Sequence, residues 1–237
     1  MTGMSKPVVS RMAEDYLTLI WKAHEWPGTS ASTTEMAAAL GVTASTVSAN
    51  LKKLARDGLI AYEPYGSIAL SDAGRTVAVE IVRRHRIIET YLTERLGLTW
   101  DQVHDEANRL EHAVSDLVLD RMDEVLGHPR FDPHGDPIPA RDGSVATVDS
   151  RLLTQVATGE RVTVIRISDR HADVLRYLTD KRIVLGTTLT VIHHSPAAGA
   201  LVVTIGDDRR ELTAEAAAHV RVVAADSGEA EERDRPR

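Results

Sequence analysis

The residues with metal chemistry to offer lie between His85 and His112. His85 and Glu89 are four apart, as are His104 and Asn108, and Asn108 and His112, while Glu111 follows Asn108 by three. Residues three and four apart share one face of a helix. Two helices that each present an imidazole beside a carboxylate or carboxamide can therefore close around a divalent cation with nitrogen and oxygen donors alone. Any one of these side chains by itself reads more simply as part of a solvated helix face. The gathering of three histidines and several acids in one predicted helical hairpin is what points to a metal.

Composition narrows that chemistry. The 237 residues contain no Cys, which removes disulfides, thiolate metal sites and cysteine nucleophiles together. Charges interrupt MTGMSKPVVSRMAEDY within a few residues, so neither a signal peptide nor a bilayer-spanning run is visible, and a cytoplasmic protein without a membrane partner is expected. The hydrophobic fraction of 43% is ample for packed cores, and with a single Phe those cores must be built from Leu, Val, Ile and Ala. A net charge of −7 runs mildly against a nucleic-acid binder, whose footprint is usually basic. The tail DSGEAEERDRP is rich in acids, however, and over residues 1–75 basic and acidic side chains balance.

The elements that must position the histidines begin with VVSRMAEDYLTLIWKAHEW, an amphipathic helix closed by Pro27 and Gly28. Thr33 or Thr34 can cap a short helix ending at Leu40, Gly41 supplies a turn, and Thr43 can cap a second helix running to about Asp57 and Gly58. Helix, glycine turn and helix make a helix-turn-helix, with Ala37, Leu40, Val42, Val47, Leu51 and Leu54 as its shared core. Thr43, Ser45, Thr46, Ser48, Ala49 and Lys52 then offer a small, polar face that can approach base edges or phosphates, and Lys53 serves phosphates. Two short alternating strands around Pro64 and Gly66 add a wing. Paired short helices occur in many proteins that touch no DNA, but the full order through Gly-Leu-Ile, the hairpin and Ser-Asp-Ala-Gly-Arg is more specific than the pair.

A long helix runs from Ser71 to near Gly97, followed by helices over 100–115 and 116–126. Their apolar residues, among them Ile88, Leu92, Val103, Leu110, Val114, Leu117, Val118 and Met122, exceed what a small hairpin buries alone. Such a surplus suits a homodimer, which a reader of palindromic DNA requires. Pro129, Pro133, Pro137, Pro139, Gly135 and Gly143 mark a linker in which His128 and His134 read as solvated and outside the site. Short alternating strands from Arg151 onward indicate an SH3-like antiparallel barrel with one inserted helix, and the last dozen residues a disordered tail. The expected fold is thus mainly α with a small β part. It comprises a winged helix-turn-helix over 1–74, a helical metal-binding and dimerisation domain over 75–128, a linker over 129–150, the barrel over 151–225 and a tail over 226–237.

The stretches AEDYLTLIW, GVTASTVSANLKKLARDGLI, RRHRIIETYL, VHDEANRLEHAVSD and DPHGDPIP, with the SH3-like (FeoA-like) third domain, resemble metal-dependent transcriptional repressors of the diphtheria toxin repressor and manganese transport regulator family. The resemblance implies a homodimer on a double-stranded palindromic operator, with one metal site of Asp15, Asn108, Glu111 and His112 and a second of His85, Glu89 and His104. Asp15 enters through the alignment of EDYL alone. Third-domain donors to the second site fall near Arg170 and Asp173, which leaves Asp173 with His171 as its neighbour.

Iron-responsive members of the family carry Met and Cys where this chain has Asp15 and Asn108, whereas manganese-responsive members carry Asp at the first position. The expected effector is therefore Mn(II), with Fe(II) as the alternative and Zn(II) or Co(II) able to substitute in vitro, and the expected targets are manganese uptake genes. Asn108 departs from the pattern, because an amide oxygen is a weaker donor than a carboxylate. Neither enzymatic activity nor an organic cofactor is expected. A metallohydrolase or di-metal enzyme is the rival, but there is no HExxH and no Glu-x-x-His pair on the site helices. A regulator with an organic effector is a further rival, and it would bind DNA regardless of chelators.

Overall fold

The computed structural model describes residues 9–26, 31–63, 67–195 and 198–225. The expected stops at Pro27 and Gly28, the wing turn at Pro64 and Gly66, and the tail from 226 lie outside the described residues. The chain divides into two compact units, one of Met1–Ile88, Ala107–His128 and Ile138–Val145, the other of Glu89–Glu106, Pro129–Pro137 and Ala146–Arg237.

In the first unit, helix α1 (Arg11–His24) starts where the Ser10 hydroxyl accepts the Ala13 N–H, and it buries Tyr16, Leu17, Ile20 and Trp21. Helix α2 (Thr33–Leu40) is capped by Ser32, one residue ahead of the expected threonines. The Ser32 hydroxyl accepts the Glu35 N–H and donates to the Glu35 carboxylate, an arrangement typically contributing about 1 kcal/mol. Thr43 caps helix α3 (Ala44–Arg56), whose Val47, Leu51 and Leu54 are buried at helical spacing. Val42 is 38% exposed rather than part of that core, because it sits in the turn, and Met36 is buried there instead.

Strands β1 (Ile60–Tyr62) and β2 (Ile68–Leu70) pair antiparallel as the wing. Helix α4 (Asp72–Leu96) begins where Ser71 Oγ accepts the Gly74 N–H. A Cβ on Gly74 would lie 1.9 Å from the Leu59 carbonyl oxygen, so only glycine lets the helix start against that backbone.

Helix α5 (Val103–Leu110) stops five residues short of the expected end at Ser115. Buried Arg84 explains this: its guanidinium donates to the carbonyls of Glu111 (2.9 Å) and Val114 and to the Asp116 carboxylate (2.5 Å), so a side chain takes acceptors that a continuing helix would use. Helix α6 (Asp116–Leu126), capped by Ser115, leaves Leu117 69% and Val118 46% exposed.

The second unit holds a six-stranded antiparallel sheet of order β3-β8-β4-β5-β6-β7, with β3 (Arg151–Leu152), β4 (Arg161–Ile167), β5 (Thr188–Ser195), β6 (Ala200–Ile205), β7 (Asp208–Thr213) and β8 (Val220–Ala224). Helix α7 (Ala172–Asp180) is the expected insertion, and a five-residue helix α8 (Ala214–Ala218) is added. Val162, Val164, Ile167, Leu175, Leu178 and Leu189 belong to its core, and a register shift between Val164 and Arg166 keeps Ile167 on the buried side.

Part of the Pro-rich stretch departs from a linker. Asp132, His134, Asp136 and Ile138 are buried. Asp132 Oδ1 accepts the N–H groups of His134 (2.9 Å) and Asp136 (2.8 Å), an Asx-type turn. Gly135, at φ +83°, lies so near β4 that a Cβ would come within 2.1 Å of the Ile165 carbonyl oxygen, and the Ile167 N–H donates to the His134 carbonyl.

Candidate metal centre

Two groups of carboxylates and histidines result. In the first unit, α1 carries Glu14 and Asp15, and the turn after α5 carries Glu111 and His112. His112 Nε2 lies 2.9 Å from Asp15 Oδ1 and 3.2 Å from Glu111 Oε1, while its Nδ1 lies 2.8 Å from Glu14 Oε2. The other Glu111 oxygen is 2.6 Å from Nδ1 of buried His85. Asn108 is exposed on α5, one helical turn before Glu111 and His112.

The second group lies in the other unit. Glu89 is fully buried on α4, one turn after His85. His104 Nδ1 stands 3.3 Å from Glu89 Oε1 and 3.0 Å from Asp169 Oδ2. His134 adds a second imidazole, whose Nε2–H donates to the Trp100 carbonyl at 2.7 Å and whose ring stacks on Trp100. Its Nδ1, buried without a hydrogen-bond partner, faces Glu89 Oε2 at 3.9 Å. Burial opposes protonation of His134, but the charges of Glu89, Asp132 and Asp169 outweigh it and raise its pKa above the ordinary 6.5.

Both groups fit a divalent cation. The donor atoms of Asp15, Glu111 and His112 lie within 4.8 Å of one another, as do those of Glu89, Asp132 and His134. Bonds of about 2.0–2.2 Å to nitrogen and oxygen set donors at comparable separations. Imidazole nitrogens and carboxylate oxygens converging in buried space require a positive centre, whether proton or metal.

Asp173 and His171, expected as third-domain donors, are placed elsewhere. Asp173 is exposed in the first turn of α7, and His171 packs edge-on against His219. The third-domain carboxylate beside His104 is Asp169. Sequence reading also missed Glu14, Asp132 and His134. A visible signal for the last two was Asp-Pro-His-Gly-Asp itself, since Asp two residues before a backbone donor favours an Asx turn that fixes the intervening geometry.

The exposed face of α3 carries Ser45, Thr46, Ala49, Lys52 and Lys53, with Ser48 half-buried. The Thr43 hydroxyl is engaged in capping, within 2.8 Å of Ser45 Oγ and 2.9 Å of Thr46 Oγ1.

A winged helix with nitrogen- and oxygen-rich metal-binding geometry on an adjoining helical region defines the class of metal-responsive DNA-binding regulators. Residues 8–68 match the family described as iron dependent repressor, N-terminal DNA binding domain. Residues 71–140 match the iron dependent repressor metal binding and dimerisation domain, and 151–224 the FeoA domain. The iron-dependent repressor IdeR of Mycobacterium leprae is 32% identical over 221 residues, covering 88% of this chain and 95% of that protein. A manganese-dependent transcriptional repressor in complex with manganese superposes with a TM-score of 0.85 at 44% identity, covering 90% of this chain and all (100%) of that one. The manganese regulator SloR gives 0.78 at 28% identity, over 90% of this chain and 98% of that one. The chain belongs to the diphtheria toxin repressor family of metal-dependent DNA-binding transcriptional repressors.

Proposed function

We propose that the protein is a Mn(II)-responsive repressor of manganese uptake genes that binds a palindromic operator as a homodimer. The observation that carries this reading is His112 Nε2 facing Asp15 Oδ1 and Glu111 Oε1 together, which joins the first helix of the DNA-binding region to the turn after α5. Asp15, Glu111 and His112 hold the regulatory cation, with Asn108 on the same helix face as a further oxygen donor. Glu89 offers donors for a second, either with His104 and Asp169 or with Asp132 and His134, and His85 stands beside Glu111. A bound divalent cation supplies the positive charge on which these donors converge.

The chain's own residues carry that constraint toward DNA. Tyr16 follows Asp15 on α1, is 1% exposed, and accepts a hydrogen bond from Asn50 Nδ2 of α3 at 3.2 Å. Fixing Asp15 therefore fixes the helix that seats α3, whose Ser45, Thr46, Ser48, Ala49, Lys52 and Lys53 face the groove. Leu117 and Val118 of α6 supply the apolar surface for a two-fold partner. Dimeric readers of this kind engage half-sites about 34–36 Å apart, so restricting α1 raises the fraction of dimers with matching spacing.

Preference for Mn(II) rests on the hard carboxylate of Asp15 in a site with no sulfur donor. An Fe(II) response of the same site is the second reading, favoured by relatives named as iron-dependent. The test is to strip the metal, select duplexes from a random pool with Mn(II)-loaded protein, and measure binding at matched free Mn(II), Fe(II), Co(II) and Zn(II), anaerobically for Fe(II). Activation at the lowest free concentration relative to affinity is expected for Mn(II). Binding that is complete in chelator sinks the reading.

A further inference from the structure

Glu14 lies outside the ligand set, yet it touches the imidazole at its centre. We infer that Glu14 is the positioning residue of this site: its carboxylate holds the Nδ1–H of His112 and so commits Nε2 to the cation. The inference rests on Asp15, Glu111 and His112 being ligands.

Glu14 and Asp15 are adjacent on α1, and their side chains meet opposite edges of one ring. Glu14 Oε2 is 2.8 Å from Nδ1 and Asp15 Oδ1 is 2.9 Å from Nε2, where Glu111 Oε1 also stands at 3.2 Å. The His112 side chain is only 8% exposed and that of Glu14 19%, so water competes poorly for Nδ1. A neutral imidazole carries one N–H. With the proton on Nδ1, it meets the Glu14 carboxylate, and the Nε2 lone pair points to the two ligand oxygens. The opposite tautomer would aim a lone pair at Glu14 and an N–H into the place of the cation. The lone pairs of the two ring nitrogens diverge, so a cation on Nε2 is out of reach of an oxygen bonded to Nδ1. Glu14 therefore acts through His112 rather than as a donor. An acceptor behind a ligating imidazole fixes its tautomer and raises its basicity, and its loss typically costs about 10–100-fold in metal affinity.

The test compares Glu14→Ala, Glu14→Gln and Asp15→Ala with the wild type, using metal-stripped full-length protein and free Mn(II) read by electron paramagnetic resonance. Circular dichroism and sedimentation first establish that each variant is folded. Glu14→Ala is expected to weaken Mn(II) binding by about 10–100-fold, and Glu14→Gln, whose amide oxygen still accepts the Nδ1–H, to recover most of the loss. In the Zn(II)-loaded wild type, long-range proton–nitrogen NMR should report His112 protonated on Nδ1 and metal-bound on Nε2. Wild-type affinity in Glu14→Ala, with loss in Asp15→Ala, overturns the positioning role alone. Unchanged affinity in both variants takes down the ligand assignment with it. A glutamine variant as weak as the alanine one makes Glu14 a charged ligand instead. Should the alanine variant not fold, the glutamine variant and the wild-type spectrum decide, and metal on Nδ1 overturns the inference.

Discussion

The two carboxylate–histidine groups differ in how firmly the fold holds their donors. In the first, the Asp15 side chain is 33% exposed on α1, and its partners come from a short turn that Arg84 holds by the backbone. In the second, Glu89 and His134 are fully buried (0%), and Asp132 is locked by hydrogen bonds to the backbone of its own turn. Donors on separate, partly exposed elements can be drawn together by a cation, which converts binding energy into a change of structure. Donors already fixed in a core have little left to move. On the proposed reading Asp15 makes the first group the switch, and the second, with Glu89, Asp132 and His134 already fixed, is mainly stabilising although its His104 is 29% exposed.

The largest effect should come from breaking the first group. Glu111→Ala or His112→Ala is expected to abolish metal-dependent DNA binding, a loss of at least about 100-fold, while sedimentation still finds a folded dimer. Full metal dependence in both variants would place the switch elsewhere. Thr46→Glu should remove DNA binding nearly as completely, by adding charge and bulk to the reading face of α3. Metal affinity at both groups should stay at the wild-type level, as calorimetric titration can check.

His134→Ala tests the other side of the comparison. It should abolish one class of Mn(II) sites in a titration and lower the thermal midpoint gained on metal loading, yet keep the DNA response of the remaining class within about tenfold. Loss of the response equal to that of His112→Ala would erase the distinction between the groups.

How much of this was legible in the sequence follows the same division. Helical spacing brings out His85 with Glu89, and Asn108 with Glu111 and His112, because the face of a helix is a local property. The winged helix and the antiparallel sheet were legible for the same reason, as periodicity and turn residues fix them nearby. The turn of Asp132 and His134 was legible in Asp-Pro-His-Gly-Asp, but its packing against β4 was not, since Gly135 meets Ile165 some thirty residues away in sequence, and Asp169 likewise meets His104 only through the fold. The early end of α5 depends on Arg84, and Glu14 escaped because neighbours on a helix diverge unless a ring stands between them.

A smaller effect sharpens the chemical difference at Asp15. Asp15→Met exchanges a hard oxygen for a soft thioether, and should raise the half-activating concentration of Mn(II) about tenfold more than that of Co(II) or Fe(II). An unchanged order of metals, read from DNA binding at matched free concentrations, would leave Asp15 a helix residue only.

The smallest expected effect concerns His219, in the second unit. Desolvation first, and then the charges of His171 and Arg170, lower its pKa below the ordinary 6.5. The unfolded chain therefore binds more protons between the lowered value and 6.5, so stability is full above about 6.5 and declines as the pH falls through that window. Urea unfolding of metal-free protein should show a shallower decline between about pH 7 and 5 in His219→Asn than in the wild type. Identical slopes would remove His219 as a source of acid sensitivity.

The central claim is that Mn(II) held by Asp15, Glu111 and His112 controls DNA binding. It is tested most directly by following Mn(II) occupancy by paramagnetic resonance and binding to a selected duplex by anisotropy in the same samples of wild type and Asp15→Ala. Occupancy and DNA binding should rise together in the wild type, and both should move to about tenfold or more higher free Mn(II) in the variant. A variant whose two curves overlay those of the wild type would contradict the account.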